Sequence, residues 1–137
     1  MPPAAAIPKN FPPEISRAAR LSRYARDLLS AEPALATGVP LEAPLDRAWM
    51  RARIEGAFDG DPALQAALRR LRKAVMLVLI ARDLDGRADL AEVVATVSTL
   101  AEETVRAAAA NHARWLGQEF GNPLGAASGR IQHLHVV

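Results

Sequence analysis

Leu64-Gln65-Ala66-Ala67-Leu68-Arg69-Arg70-Leu71-Arg72-Lys73, followed without a break by Ala74-Val75-Met76-Leu77-Val78-Leu79-Ile80-Ala81, decides how this chain folds. In the first part Leu64, Ala67, Leu68 and Leu71 recur at intervals of three and four, the stripe of one helix face. The eight residues from Ala74 to Ala81 are apolar on every side. Such a run could be read as a buried strand, but the helical phase carries through from Leu64 and the flanking residues are helix formers. It is therefore read as the second half of the same helix, central to the core. Asp59-Gly60-Asp61-Pro62 marks its start, with Asp61 as N-cap and Pro62 at the first helical position, and Gly86 marks its end. The expected helix covers Pro62 to about Leu84.

Outward on the C-terminal side, Asp89 and Glu92 have capping-box spacing, with Asp in place of Ser or Thr. They precede Leu90, Val93, Val94, Val97, Leu100, Val105, Trp115 and Leu116, which define a long fourth helix. Burying those eight side chains would contribute roughly 12 to 24 kcal/mol before entropy is subtracted. The helix is therefore expected to pack its apolar residues against the third. Gly121 to Arg130 reads as a loop, and Ile131, Leu134, Val136 and Val137 as a β-strand about to enter a core. A lone strand leaves backbone groups unpaired, so the expectation is that the chain breaks off inside a further domain.

On the N-terminal side, Asp46 to Phe58 presents Leu45, Ala48, Trp49 and Ala52 on one face of a second helix. Pro33, Gly38, Pro40 and Pro44 make Glu32 to Pro44 a connector. Glu14 to Ala31 is read as a first amphipathic helix through Leu21, Ala25, Leu28 and Leu29, with Arg17, Arg20, Arg23 and Arg26 on other faces. Five prolines in the first thirteen residues make those a poorly ordered leader.

The chain has 137 residues, half of them hydrophobic, which is enough for one domain or most of one. One Tyr, three Phe and two Trp suit packed helices better than sheets. The formal net charge of +2 is not a nucleic-acid footprint. The lack of cysteine removes disulfides and thiolate chemistry. No export signal is visible, and an eight-residue apolar run is far short of the ~20 needed to span a bilayer. A cytoplasmic protein is expected.

Three constellations invite a chemical reading. Asp83-Leu84-Asp85 suggests a magnesium pair, but residues two apart at a helix end do not face the same way, and Arg87 occupies the place of a third calcium ligand. A solvated helix end is expected. His133 and His135 alternate on the expected strand and would share a face, yet no third ligand accompanies them. His112 reads likewise as an ordinary polar position. Arg69-Arg70-Leu71-Arg72-Lys73 could meet phosphates or an acidic partner, although no aromatic residues are interleaved, and a solvated face is the plainer reading. No glycine-rich phosphate loop or Ser, His and Asp arrangement is present, so no catalytic, cofactor-binding or metal-binding residue is assigned.

Leu68-Arg69-Arg70-Leu71-Arg72-Lys73, Met76-Leu77 and Ala81-Arg82-Asp83-Leu84-Asp85-Gly86-Arg87-Ala88-Asp89-Leu90 resemble the helical segment of glutamine synthetase adenylyltransferase, the glutamate-ammonia ligase adenylyltransferase and adenylyl-removing family. Ser22-Arg23-Tyr24-Ala25 with Leu28-Leu29 and Glu32-Pro33-Ala34-Leu35 resembles the family's N-terminal opening. Leu100-Ala101-Glu102 is similar to its long helix, and Gly121-Asn122-Pro123 with His133-Leu134-His135-Val136-Val137 to the lead-in to its nucleotidyltransferase core. The resemblance implies an enzyme that uses ATP and magnesium to adenylylate a tyrosine of glutamine synthetase, and phosphate to reverse it, under a nitrogen-regulatory signal protein. The family's Gly-Met-Gly-Lys-Leu-Gly-Gly and Ser-Asp-Ile-Asp-Leu motifs are not in this sequence, and Asp83 and Asp85 do not match its metal-binding aspartates.

The resulting expectation is an all-α chain of about four bundled helices with a C-terminal strand stub. Residues 1–13 form the leader, 14–120 the helical domain, and 121–137 the loop and first strand of a nucleotidyltransferase core. Its partners would be the remainder of its own enzyme, glutamine synthetase and the signal protein, with neither membrane nor nucleic acid. It would be inactive alone. The rival reading is a free-standing helical module whose arginine faces bind an acidic protein or nucleic acid.

Overall fold

Helix formers dominate the sequence on both sides of the apolar run, and the chain is helical over most of its length. The computed structural model describes residues 10–55 and 61–133. Within them the order is α1 (Pro13–Leu21), α2 (Arg23–Ala31), a 3-10 turn (Pro33–Ala36), α3 (Arg47–Ala52), α4 (Asp61–Leu84) and α5 (Leu90–Phe120). The fold is all-α, as expected.

Among the described residues the central helix spans Asp61–Leu84, covering the expected Pro62 to Leu84, and buries Ala74, Val75, Leu77, Val78, Leu79 and Ala81. The apolar run is core, with α1, α2 and the 3-10 turn packed along α4. Its end follows the glycine signal. Gly86 takes φ +72°, its N–H donates to the Asp83 carbonyl at 3.0 Å, and the Arg87 N–H donates to the Arg82 carbonyl at 2.8 Å. These two bonds form a Schellman motif, which satisfies carbonyls that the helix leaves open. Replacing Gly86 with Ala forces a Cβ into the left-handed region, so a loss of roughly 1 kcal/mol is expected in thermal or urea unfolding.

The single helix expected from Glu14 to Ala31 is two. Ser22 is extended (φ −113°, ψ 120°), and its hydroxyl accepts from the Ala25 N–H at 3.2 Å as the N-cap of α2. A serine competes for its neighbours' backbone groups and so breaks a helix that periodicity alone carries through. The break changes the buried face, so Ile15, Ala18 and Ala19 fill the core from α1, whereas Leu21 is exposed.

The second helix is shorter than expected, and of its expected face Leu45 is buried and Trp49 packs partly against the core. It ends at Ala52, with Met50 and Ile54 fully buried and Ala48 and Ala52 exposed. The expected extension to Phe58 and the Asp59-Gly60 turn lie outside the described residues.

The largest correction concerns α5. Of the eight side chains assigned to the core, only Leu100 is buried, and Val93 packs partly against it. Leu90, Val94, Val97, Val105, Trp115 and Leu116 are exposed, Leu90 by 78% and Trp115 by 55%. The buried stripe is instead Thr96, Leu100, Glu103, Ala107 and Asn111, spaced by four, three, four and four. With α1, α2 and the 3-10 turn already along α4, α5 touches the core through this narrow line, against α3 and α4. Past Asn111 none of the described residues is buried.

The expected strand is not formed among the described residues. Ile131 makes an isolated antiparallel bridge back to Leu124, and the Gly125 N–H donates to the Arg130 carbonyl at 2.9 Å. Leu134 to Val137 of that expectation, with His135, lie outside the described residues, as do residues 1–9 of the leader.

Buried ion pairs and the candidate site

Two charged centres tie the segments together, and neither was legible as such in the sequence. Arg82, 4% exposed in the last turn of α4, reaches three other segments. Its Nε donates to Glu92 Oε1 at 2.7 Å and its Nη2 to Glu92 Oε2 at 2.9 Å, a bidentate pair with the first turn of α5. Its Nη1 donates to the Leu41 carbonyl of the connector at 2.6 Å, and Nη2 also reaches the Arg87 carbonyl at 3.3 Å. The planar fork of an arginine suits this convergence.

The capping box forms by half. Asp89 Oδ1 accepts from the Glu92 N–H at 2.8 Å, while both Glu92 carboxylate oxygens go to Arg82. Around this junction Arg87 pairs with Glu42, Glu14 and Asp85 at 2.9, 3.1 and 2.7 Å. Arg17 also approaches Asp85, at 3.8 Å.

The second centre is Glu103 of α5, whose side chain is fully buried. Arg51 holds it in two bonds, Nε to Oε2 at 2.8 Å and Nη2 to Oε1 at 3.1 Å. Arg106 Nε reaches Oε2 at 2.8 Å and Arg47 Nη1 reaches Oε1 at 2.7 Å, while Arg47 Nη2 also bonds Glu102. Hydrogen bonding, first from Arg51, outweighs the burial that opposes it and lowers the Glu103 carboxyl to about 2. A carboxylate so held stays ionised at neutral pH and has no proton to give as a general acid.

The residues weighed for chemistry do not converge. Asp83 faces solvent, and Asp85 is engaged by Arg87 and Arg17, so the two do not form a magnesium pair. His112 and His133 are exposed on separate elements. Among the described residues no three His, Cys, Asp or Glu side chains are grouped to hold a metal ion. Asn111, which beside His112 forms no recognisable triad, donates to Asp61 and fastens α5 to α4. In the basic cluster Lys73 pairs with Glu32, whereas Arg69, Arg70 and Arg72 are exposed. No helix among the described residues is long and apolar enough to cross a membrane.

The fold and its buried charges define a helical packing module, in which ion pairs lock helix ends and an apolar outer face remains open. Residues 16–137 match the family model of glutamate-ammonia ligase adenylyltransferase, and the chain belongs to that family. It is 42% identical over 134 residues to a bifunctional glutamine synthetase adenylyltransferase/adenylyl-removing enzyme of Chromobacterium violaceum, covering 96% of this chain and 15% of the relative. Enzymes of the same name from Ralstonia nicotianae and Aromatoleum aromaticum are 40% and 36% identical, covering 85% and 99% of this chain and 13% and 15% of theirs. The chain thus spans about one seventh of these relatives' length. No solved structure matches it.

Proposed function

We propose that this chain is a helical scaffold that flanks the nucleotidyltransferase core of a bifunctional adenylyltransferase and adenylyl-removing enzyme acting on glutamine synthetase. One observation carries the reading. The last three turns of α5 and the loop after them present Trp115, Leu116, Phe120, Leu124 and Ile131 to solvent, Phe120 by 75%. An apolar surface of this extent marks an interface. The far end of a 31-residue helix would be covered by a neighbouring domain. In this layout residues 14–120 form the scaffold, and 121–137 are the loop and lead-in to the first strand of the core.

The whole enzyme would work in the cytoplasm, use ATP and magnesium to place AMP on a tyrosine of glutamine synthetase, remove it with phosphate, and answer to a nitrogen-regulatory signal protein. The described residues do not suit an ATP–magnesium site, because Asp85 is bound by arginines and Asp83 stands apart in solvent. That chemistry is assigned to the remainder of the enzyme.

The test is direct. Purified chain incubated with glutamine synthetase, ATP and magnesium, or with adenylylated glutamine synthetase and phosphate, should transfer and release no AMP in a radiolabel assay. Stoichiometric labelling or release by this chain alone would refute the scaffold role. The rival reading, a free-standing module, draws on the exposed Arg69, Arg70 and Arg72. It expects salt-sensitive binding to an acidic protein or to nucleic acid.

A further inference from the structure

A second open surface lies away from the far end of α5. Between the middle of α4 and the first half of α5 runs a groove with Leu68, Val97, Leu100 and Val105 on its floor and walls, and Arg69 and Arg72 along its α4 edge. Val97 and Val105 are 43% and 45% exposed. They stand eight residues apart on α5, about 12 Å along its axis, the spacing of apolar side chains two turns apart on a helix laid alongside.

The charge on the rim is uncompensated. Among the described residues Arg69 and Arg72 enter no ion pair; Arg20, Arg26, Arg53, Arg70 and Arg130 do not either, but of these arginines only Arg69 and Arg72 border the groove. They lie three apart on α4, so both border the same groove. Among the described residues the groove holds no aromatic side chain on which a nucleic-acid base could stack.

We propose that this groove docks an acidic amphipathic helix of a partner protein segment, with an apolar stripe at intervals of three and four against the floor and carboxylates along one edge facing Arg69 and Arg72. A second copy of this chain does not meet that description. Its outer helices α1 and α2 carry Arg17, Arg20, Arg23 and Arg26 against only Glu14 and Asp27, and would bring net positive charge to the rim. The proposal goes beyond the scaffold role and stands on a different surface, so it holds whether or not the chain transfers AMP alone.

The chain contains no cysteine, so Thr104→Cys carries a single environment-sensitive dye in the groove wall. The probes are an 18-residue hydrocarbon-stapled helix with leucines at three-four spacing and glutamates along one edge, and the same peptide with lysines for glutamates. The acidic peptide should shift the dye and bind more weakly at 0.3 M salt, whereas the basic peptide should not bind. Arg69→Glu with Arg72→Glu should weaken the acidic peptide roughly tenfold and transfer the preference to the basic one. That reversal is a readout only a folded protein gives. Arg70→Glu, which lines the opposite cleft beside Leu35, should leave binding within about twofold. Equal binding of both peptides, binding of neither, or a sedimentation profile of a dimer that buries the dye would each overturn the proposal.

Discussion

Arg82→Met should lower the unfolding free energy by roughly 3 to 5 kcal/mol, the usual consequence of leaving one member of a buried ion pair alone. The loss has identifiable parts. Glu92, 13% exposed, keeps a carboxylate with no cation on it, and the Leu41 carbonyl loses its donor in a buried setting. A domain of this size has only ~5 to 15 kcal/mol in total, so urea unfolding of the variant should begin near zero denaturant or close to it. The Arg82→Met, Glu92→Met double variant tests the cause. With both charges gone the cost should shrink, because a well-packed apolar pair can replace a buried ionic one. A double variant as unstable as the sum of its singles would show that side-chain shape, not charge, governs the junction.

Glu103→Gln should cost about 2 kcal/mol at neutral pH, the range for hydrogen bonds to a charged group. It should cost less than the Arg82 change, because Arg47, Arg51 and Arg106 are nearly half exposed and can turn their guanidiniums back to water. The variant also carries a pH signature. Glu103 is depressed to about 2 when folded, against ~4.3 for an unperturbed glutamate. Its contribution is therefore fully present above about pH 5 and is lost as the pH falls toward 2. Chemical denaturation of the original chain should weaken across that window, and the Gln variant should weaken less. Parallel profiles for the two proteins would remove Glu103 from the account.

These charged centres were not legible because several of their partners lie far apart in sequence. Glu103 meets Arg47 and Arg51 across separations of 56 and 52 residues, and Arg82 meets Leu41 across 41. Nothing in local spacing marks a glutamate among Leu100, Ala101 and Glu102 as the buried one. The signal that could have found it is the line Thr96, Leu100, Glu103, Ala107 and Asn111, which has helical period but mixed polarity. A search for apolar residues passes over such a stripe. The same bias placed Trp115 and Leu116 in a core that α5 has already left behind at Asn111.

The sequence by itself determined that the chain is mostly helical, that Ala74 to Ala81 lies at the centre of the core, and that Gly86 and Asp89 separate α4 from α5, because each follows from periodicity or from the needs of backbone groups within a few residues. It also carried the family resemblance, through the run from Leu68 to Leu90. Only the tertiary structure decided that the helix from Glu14 divides at Ser22, which face α5 turns inward, and which arginines are bound to carboxylates. Those outcomes depend on how much of α4's surface neighbouring helices have already occupied. A helix with apolar residues on several sides buries whichever line its neighbours leave room for, and the remaining apolar surface stays open to further protein.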